Sequence, residues 1–242
     1  MYLGDNARAP YGNRSFDVVY EFTLEAIKYL RNRGCKLVIL ACNTSSAKAL
    51  RSIQKQDLKL MGPDFRVLGV IRPSTESIGD LSQTKHIGIL GTQGTIDSNS
   101  YAIELQNFFP ELKVFQQACP MWVPLIESNK HLSESGKAIV KEDFNELISN
   151  HPEIDTVLLA CTHYPILSSY LKELAGAQIR IISQGPIVAD KLKEYLNRHS
   201  AIDGQLSQNG FCSYLTTENS DVFNQNAMNF ISMTVNSEQV SL

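Results

Sequence analysis

Two stretches of sequence decide the fold: Leu37–Thr44 (LVILACNT) and Thr156–His163 (TVLLACTH). Each begins with a short apolar run that contains β-branched residues, which is typical of a buried strand, and each precedes a segment that predicts a helix. The cysteines Cys42 and Cys161 lie 119 residues apart, one at each strand-to-helix turn. The pattern therefore predicts two similar sites, one in each half of the chain.

Strand-like and helix-like segments alternate along the rest of the chain in the same way. Strands alternating with longer helices indicate βαβ units and an α/β fold with mainly parallel sheets. Ligands of such sheets bind outside the carboxyl ends of the strands, where both cysteines fall. The predicted strands are 36–41, 66–70, 86–91, 112–115, 154–160, 179–182 and 211–215. The predicted helices are 16–33, 45–56, one opened by Pro73, 96–109, 123–128, 135–150, 166–174 and 186–198.

Composition limits the possible classes of protein. With 242 residues and 43% hydrophobic content, the chain can form one or two domains with a substantial core. A net charge of −3 gives no indication of a nucleic-acid partner or an anionic membrane surface. Neither a membrane-spanning apolar run nor a signal peptide is recognisable. The five cysteines are odd in number and include no CxxC pair, which argues against a disulfide framework or a zinc site and favours a reducing cytoplasm.

The two turns carry groups suited to proton transfer and to carboxylate binding. A thiol at a helix N-terminus is expected to have a lowered pKa because the helix dipole and nearby backbone N–H groups favour the thiolate. The hydroxyls of Thr44 and Thr162, with their backbone amides, could bind a carboxylate, and Asn43 could hold an ammonium or a carboxylate. His163 could set the protonation state of Cys161 or act as an acid.

Two thiols that face each other suit one reaction class in particular. One thiolate removes a proton from a carbon acid, and the other thiol delivers a proton to the opposite face, which inverts the centre. A single cysteine at a strand end is more often a small core residue, and this interpretation is kept for Cys35, Cys119 and Cys212. The turn 91–95 is by pattern a plain strand-to-helix turn, and the stretch 5–12 is a polar loop.

Five motifs make the sequence resemble the cofactor-independent glutamate racemases of the aspartate/glutamate racemase superfamily. They occur in the family's order and extend over most of the chain as far as about Gln184. The motifs are GDNARAPYG (Gly4–Gly12), ACNTSSA (Ala41–Ala47), GTQGTIDSNSY (Gly91–Tyr101), ACPMWVPLIE (Ala118–Glu127) and LACTHYPIL (Leu159–Leu167).

The resemblance implies a role for each matching residue. Cys42 and Cys161 would be the catalytic acid/base pair, each serving one enantiomer, with His163 assisting Cys161 and Glu127 as a nearby catalytic carboxylate. The implied glutamate-binding residues are Pro10, Tyr11, Gly12, Asn43, Thr44 and Thr162, with Thr92 and Thr95 close to the cleft. The resemblance implies neither a cofactor nor a metal.

The family's architecture implies two α/β domains with the active site in the cleft between them. Domain one would combine residues 1–73 with 184–242, and domain two would be 74–183. The resemblance also implies a homodimer that supplies D-glutamate for peptidoglycan synthesis.

One departure from the family concerns the start of the chain. Family members begin with a strand, an Asp-Ser-Gly turn and a helix ahead of the segment that matches Gly4–Gly12. We expect the natural protein to include this unit of about 25–30 residues upstream of Met1. Without that strand, the sheet of domain one is expected to expose a hydrophobic edge or to be strongly destabilised. The departure also puts the Cys42 half of the reaction in question.

Two other functions are compatible with the sequence. The chain could be another member of the superfamily, such as an aspartate racemase or a decarboxylase or isomerase that uses one cysteine, although the presence of both cysteines argues against the one-cysteine enzymes. It could also be an inactive, truncated glutamate-binding homologue.

Overall fold

The computed structural model describes residues 1–242, in which strands and helices alternate as predicted. The strands are β1 (Tyr2–Gly4), β2 (Leu37–Leu40), β3 (Arg66–Gly69), β4 (His86–Gly91), β5 (Lys113–Ala118), β6 (Thr156–Ala160), β7 (Arg180–Ser183), β8 (Tyr214–Thr216) and β9 (Ser237–Gln239). The α-helices are α1 (Phe16–Asn32), α2 (Asn43–Lys48), α3 (Leu50–Gln56), α4 (Leu58–Met61), α5 (Ile71–Ile78), α6 (Gln93–Asp97), α7 (Ser100–Phe108), α8 (Trp122–Glu127), α9 (Glu134–Asn150), α10 (Ser168–Ala175), α11 (Gln184–Arg198), α12 (Ser200–Asp203) and α13 (Ser220–Ile231). Every strand pair is parallel, so the predicted α/β fold with mainly parallel sheets is confirmed.

The largest sheet has four strands in the order β5-β4-β6-β7 and is covered on both faces. One face packs Val157 and Leu159 against Trp122 of α8 and Phe144 of α9 in a cluster of 16 buried residues. The other face packs Leu158 and its neighbours against α5 and α7 in a cluster of 9 buried residues. Because both faces are buried, β6 reads as a continuous apolar run rather than an alternating one. Cys161 follows this central strand directly.

The sheet that leads to Cys42 is smaller. Strands β2 and β3 pair only with each other, and α1 and α3 cover one face through Ile27 and Ile53, which pack with Val38. On the other face Ile39 is 36% exposed. Strand β2 thus has one edge without a strand partner and one partly exposed apolar side chain.

A third sheet has the order β1-β8-β9 and brings the beginning of the chain against its C-terminal part. Tyr2 of β1 lies opposite Tyr214 of β8, and its ring also contacts Phe223 of α13, with centroids 5.9 Å apart. These three-residue strands are too short to show a periodic pattern, so β1 and β9 are not predicted, and β8 begins three residues later and ends one residue later than the strand predicted over 211–215. Helix α13 was not predicted either.

Two predicted helices are broken in the structure. The segment predicted as one helix over 45–56 forms α2 and α3, and α2 begins at Asn43, so that Cys42 is its N-cap residue. The segment predicted as one helix over 96–109 forms α6 and α7 around Asn99, which has a left-handed φ of 54°. Asparagine tolerates this conformation better than most residues, which explains the position of the break.

The strands sort by sequence position into separate sheets. All four strands of the largest sheet come from within residues 86–183, and the other two sheets use strands from outside that range. The domain limits 1–73 with 184–242 and 74–183 stay a prediction. No helix in residues 1–242 combines the length and the apolar character needed to span a membrane.

Candidate active site

Cys42 lies at the carboxyl end of β2 and begins α2. Its Sγ atom accepts a hydrogen bond from the backbone N–H of Ser45 at 3.5 Å, so the thiol takes the place of an N-cap oxygen. Burial raises the pKa of Cys42, and the Ser45 N–H opposes this effect only in part. The expected lowering of this pKa is therefore wrong, because desolvation of the thiolate outweighs the N–H groups of the short helix.

Cys161 follows β6, and its surroundings differ from those of Cys42. The thiol is buried, and the chain continues through an exposed turn at Thr162 into a 3₁₀-helix at Tyr164–Leu167 before α10 begins. The helix predicted from residue 166 is therefore partly 3₁₀. Because a 3₁₀ turn separates Cys161 from α10, the thiol is not at the N-terminus of an α-helix.

His163 links Cys161 to Glu127 at the end of α8. Its Nε2 atom lies 2.5 Å from Oε1 of Glu127. Burial alone would lower the pKa of His163, but the neighbouring Cys161 and Glu127 raise it to about 10. The imidazole is therefore protonated at neutral pH, and Cys161 has a cation beside it.

Cys161 makes a smaller contribution to the pKa of Cys42. Its charge raises that pKa slightly further, in addition to the larger effect of burial. That the turns after β2 and β6 face a common region stays a prediction.

Three predicted threonines meet beside the first cysteine. The Thr44 hydroxyl lies 3.0 Å from that of Thr92 and 3.4 Å from that of Thr95, and the latter two are 3.1 Å apart. All three residues are buried. Thr44 lies in α2, which follows β2, whereas Thr92 is the N-cap residue of α6 and Thr95 lies in α6, which follows β4 of the largest sheet. Thr162, in contrast, is exposed and takes no part in this cluster.

The predicted loop Pro10–Gly12 lies against the same cluster. The Gly12 carbonyl accepts a hydrogen bond from the Gly94 N–H at 2.8 Å, and a Cβ atom at position 12 would come within 2.8 Å of Thr92 Cβ. Tyr11 donates its phenolic hydrogen to the carboxylate of Asp5, and burial together with Asp5 raises the pKa of Tyr11. Pro10 is exposed at the outer end of the loop.

Asn43 is buried and makes hydrogen bonds that the sequence did not predict. Its Oδ1 atom accepts from the Tyr101 hydroxyl at 2.6 Å, and its Nδ2 atom donates to Oε1 of Gln184 at 2.7 Å. Tyr101 is the last residue of a motif quoted above, but no role was given to it. Gln184 and Ser74, which Gln184 contacts, carried no signal in the sequence.

The loop before Tyr11 also holds an ionic network without a predicted role. Arg8 donates through Nε to Asp5 at 2.7 Å and through Nη1 to Glu25 of α1 at 2.5 Å. Asp5 accepts in addition from the Thr217 hydroxyl at 2.8 Å. No group of three or more His, Cys, Asp or Glu side chains in residues 1–242 is arranged to hold a metal ion.

Comparisons with known proteins show which family the chain is similar to. The family model described as Asp/Glu/Hydantoin racemase matches residues 1–192. A glutamate racemase from Streptococcus suis is 32% identical over 242 residues, which is all of this chain and 88% of that protein. The crystal structure of glutamate racemase isoform RacE1 from Bacillus anthracis superposes with a TM-score of 0.88 at 32% identity, over 100% of this chain and 87% of that chain. The structure of a glutamate racemase from Francisella tularensis in complex with D-glutamate superposes with a TM-score of 0.82 at 26% identity, over 99% and 86% of the two chains.

Proposed function

The chain belongs to the Asp/Glu/hydantoin racemase family and, within it, to the glutamate racemases, and we propose that it interconverts L- and D-glutamate by a two-base mechanism with Cys42 and Cys161. It is thus an isomerase, an amino-acid racemase. The observation that carries the proposed mechanism is the position of the two thiols, which follow the carboxyl ends of strands in separate sheets. The residue after Cys42, Asn43, donates a hydrogen bond to Gln184, which follows β7 beside the end of β6.

In the proposed reaction the two thiols exchange roles. One cysteine, as the thiolate, takes the proton from Cα of glutamate and becomes a thiol, and the electron pair stays on the substrate as a carbanion. The other cysteine gives its proton to the opposite face of that carbon and becomes a thiolate. The reaction forms and breaks one C–H bond and needs no net oxidation or reduction.

The surrounding groups supply what a weak carbon acid requires. We assign the buried hydroxyls of Thr44, Thr92 and Thr95 and the amide of Asn43 to binding the substrate carboxylates, because oriented donors in a site shielded from water stabilise developing negative charge. Tyr11 and Gly12 would line the same pocket, with Pro10 at its outer end and Thr162 at its exposed side.

The ion pair of His163 and Glu127 supports a specific role beside Cys161. The protonated imidazole would stabilise the Cys161 thiolate, and Glu127 would keep the imidazole protonated. Cys42 has no such cation, so we infer that the two half-reactions differ in how their thiolates are stabilised.

The proposal also includes a cellular role. We propose that the protein works as a homodimer in the cytoplasm and supplies D-glutamate for peptidoglycan synthesis. The family membership supports the last point, and the five unpaired cysteines are compatible with a reducing compartment.

Isotope exchange tests the proposed function directly. Each enantiomer of glutamate is incubated with the protein in D₂O, and inversion and deuterium at Cα are followed by chiral chromatography and mass spectrometry. We expect both to occur with the unchanged chain, and net racemisation to be lost in Cys42→Ala and Cys161→Ala. Cys212→Ala is the matched control, because Cys212 is exposed and lies outside the site.

The same assay separates the alternative functions. Turnover of aspartate in place of glutamate would identify a different racemase, and turnover of a malonate derivative would identify a decarboxylase. Calorimetric binding of glutamate without exchange of either enantiomer would identify an inactive glutamate-binding homologue and overturn the proposal.

A further inference from the structure

A closed ring of hydrogen bonds joins three buried side chains, Asn43, Tyr101 and Gln184. Asn43 Nδ2 donates to Gln184 Oε1 at 2.7 Å, Gln184 Nε2 donates to the Tyr101 oxygen, and the Tyr101 hydroxyl donates to Asn43 Oδ1 at 2.6 Å. Tyr101 is fully buried, and Asn43 and Gln184 are 2% and 7% exposed. Three polar side chains have thus been buried together, which is costly unless each finds partners.

The direction of every hydrogen bond in this ring is fixed. The amide nitrogens can only donate and the amide oxygens can only accept, so the Tyr101 hydrogen must point to Asn43. Burial raises the pKa of Tyr101, which keeps its hydroxyl protonated. The second hydrogen of Gln184 Nε2 is donated to Ser74 Oγ at 2.8 Å, and Ser74 donates to the Val70 carbonyl at 2.7 Å. The Asn43 amide therefore has a single orientation.

The ring connects the turns that carry the two thiols. Asn43 follows Cys42 directly and is the first residue of α2. Gln184 follows β7, whose last residue Ser183 lies opposite Leu159 of β6. Gln184 is thus beside the end of β6, next to the segment that leads into Cys161. Tyr101, from α7, holds both amides from the face of the large sheet opposite α9 and α10.

We propose that Tyr101 and Gln184 are positioning residues that set where Cys42 lies relative to Cys161, by holding Asn43 in one orientation. The inference rests on the proposed function, in which a proton must be removed on one face of Cα and delivered on the other. A misplacement of about 1 Å can lower a rate about 100-fold, so the reaction is sensitive to this spacing. Neither residue has a hydrogen bond to either thiol; both bond to Asn43.

Tyr101→Phe removes one oxygen atom from the ring. It leaves Asn43 Oδ1 without its donor and Gln184 Nε2 without one acceptor, while the volume of the aromatic side chain stays nearly the same. We expect racemisation of glutamate to fall at least about tenfold. Tyr20→Phe is the matched control, since its hydroxyl donates to Asp57, between α3 and α4, at 2.7 Å and takes no part in the ring, so racemisation should stay within about twofold.

A second measurement depends only on position and not on activity. Site-resolved alkylation with iodoacetamide, followed by peptide mass spectrometry, gives separate rates for Cys42 and Cys161. Release of the first turn of α2 should raise the Cys42 rate at least about threefold in Tyr101→Phe, because local opening exposes a thiol that is now half-buried. The Cys161 rate should not change.

Gln184→Met is the second variant, and it breaks the ring of hydrogen bonds at Gln184 instead of at Tyr101. Methionine has a similar length but can neither donate nor accept as an amide does, so Asn43 Nδ2 loses its acceptor. We expect the same selective rise at Cys42. If this variant does not fold, as judged by circular dichroism, Tyr101→Phe alone decides the question.

Three outcomes are distinguishable. A selective rise at Cys42 supports the inference. An unchanged Cys42 rate, or an equal rise at Cys42 and Cys161, overturns it, since the ring would then have no positional effect or only a general stabilising one. If the unchanged chain fails to racemise glutamate, the proposed function fails, and the alkylation rates still decide whether the ring positions Cys42.

Discussion

The turns after β2 and β6 place the same atom at equivalent points of two parallel sheets, yet their environments differ. Cys42 is the N-cap of a short helix and is held by neutral amides, whereas Cys161 lies beside a protonated histidine and its carboxylate partner. Strand β6 is central and buried on both faces, while β2 has one strand partner. The comparison teaches that similar local sequences do not determine the electrostatic environment of each thiol or the packing of the strand before it. Residues distant in sequence determine both.

The largest expected effect tests whether the two thiols are equally necessary. Cys42→Ala and Cys161→Ala should each lower glutamate racemisation by about 10²–10⁴-fold, the usual contribution of a general acid or base. Chiral chromatography of both reaction directions measures the loss. If one variant kept more than about a tenth of the activity, the two-base mechanism would be wrong and the comparison would reduce to a single catalytic thiol.

The next effect concerns the two strands themselves. Leu158→Ala in β6 should lower the free energy of unfolding by about 2–5 kcal/mol, because the side chain is fully buried and leaves a cavity. Ile39→Ala in β2 should cost less, about 1–2 kcal/mol, because that side chain is 36% exposed. Urea denaturation of both variants gives the two values. Equal losses would show that the two sheets support their cysteines equally.

Glu127→Gln tests whether the electrostatic environments of Cys42 and Cys161 are separate. Removal of the carboxylate takes away an opposite charge next to the imidazole, so the pKa of His163 should fall from about 10 by about one to three pH units. NMR titration of the imidazole C–H resonances measures it. Cys42 alkylation should not respond, and a change there would mean that the two half-sites share one electrostatic network.

The smallest effect is a pH dependence of stability. A histidine whose pKa is raised in the folded state stabilises the fold fully below its unfolded pKa of about 6.5, and this contribution is lost as the pH rises through about 10. Compared with His163→Gln, the unchanged chain should lose an advantage of about 1 kcal/mol or less between these values, since Glu127 is 38% exposed and solvent screens the pair. Denaturation midpoints at pH 6 and pH 10.5 test this.

The sequence predicted the parts of the fold that have a local cause. The apolar runs before Cys42 and Cys161 identify two buried strands, and the helix predicted over 16–33 is found as α1. The breaks in the two helices and the three-residue strands were not predicted, because the hydrophobic periodicity of the sequence does not indicate them. The raised pKa of Cys42 was not predicted either, because it results from burial of the thiol, and burial depends on the whole fold.

The candidate site was predicted unevenly for the same reason. The resemblance to a family indicated His163 and Glu127 separately, and their pairing was not predicted, because no spacing rule connects residues 36 positions apart. Tyr101 and Gln184 contact Asn43 across long stretches of chain, so a single sequence cannot indicate the ring they form.

The contact of Gly12 with Thr92 has a consequence for how this sequence can vary. A methyl group at position 12 would collide with the threonine side chain, and the carbonyl of Gly12 is already bonded to Gly94. Substitutions at these positions are therefore not independent, and their effects on fitness should be epistatic. Alanine at position 12 becomes tolerable only with a smaller residue at position 92, so that related sequences should change the two positions together or not at all.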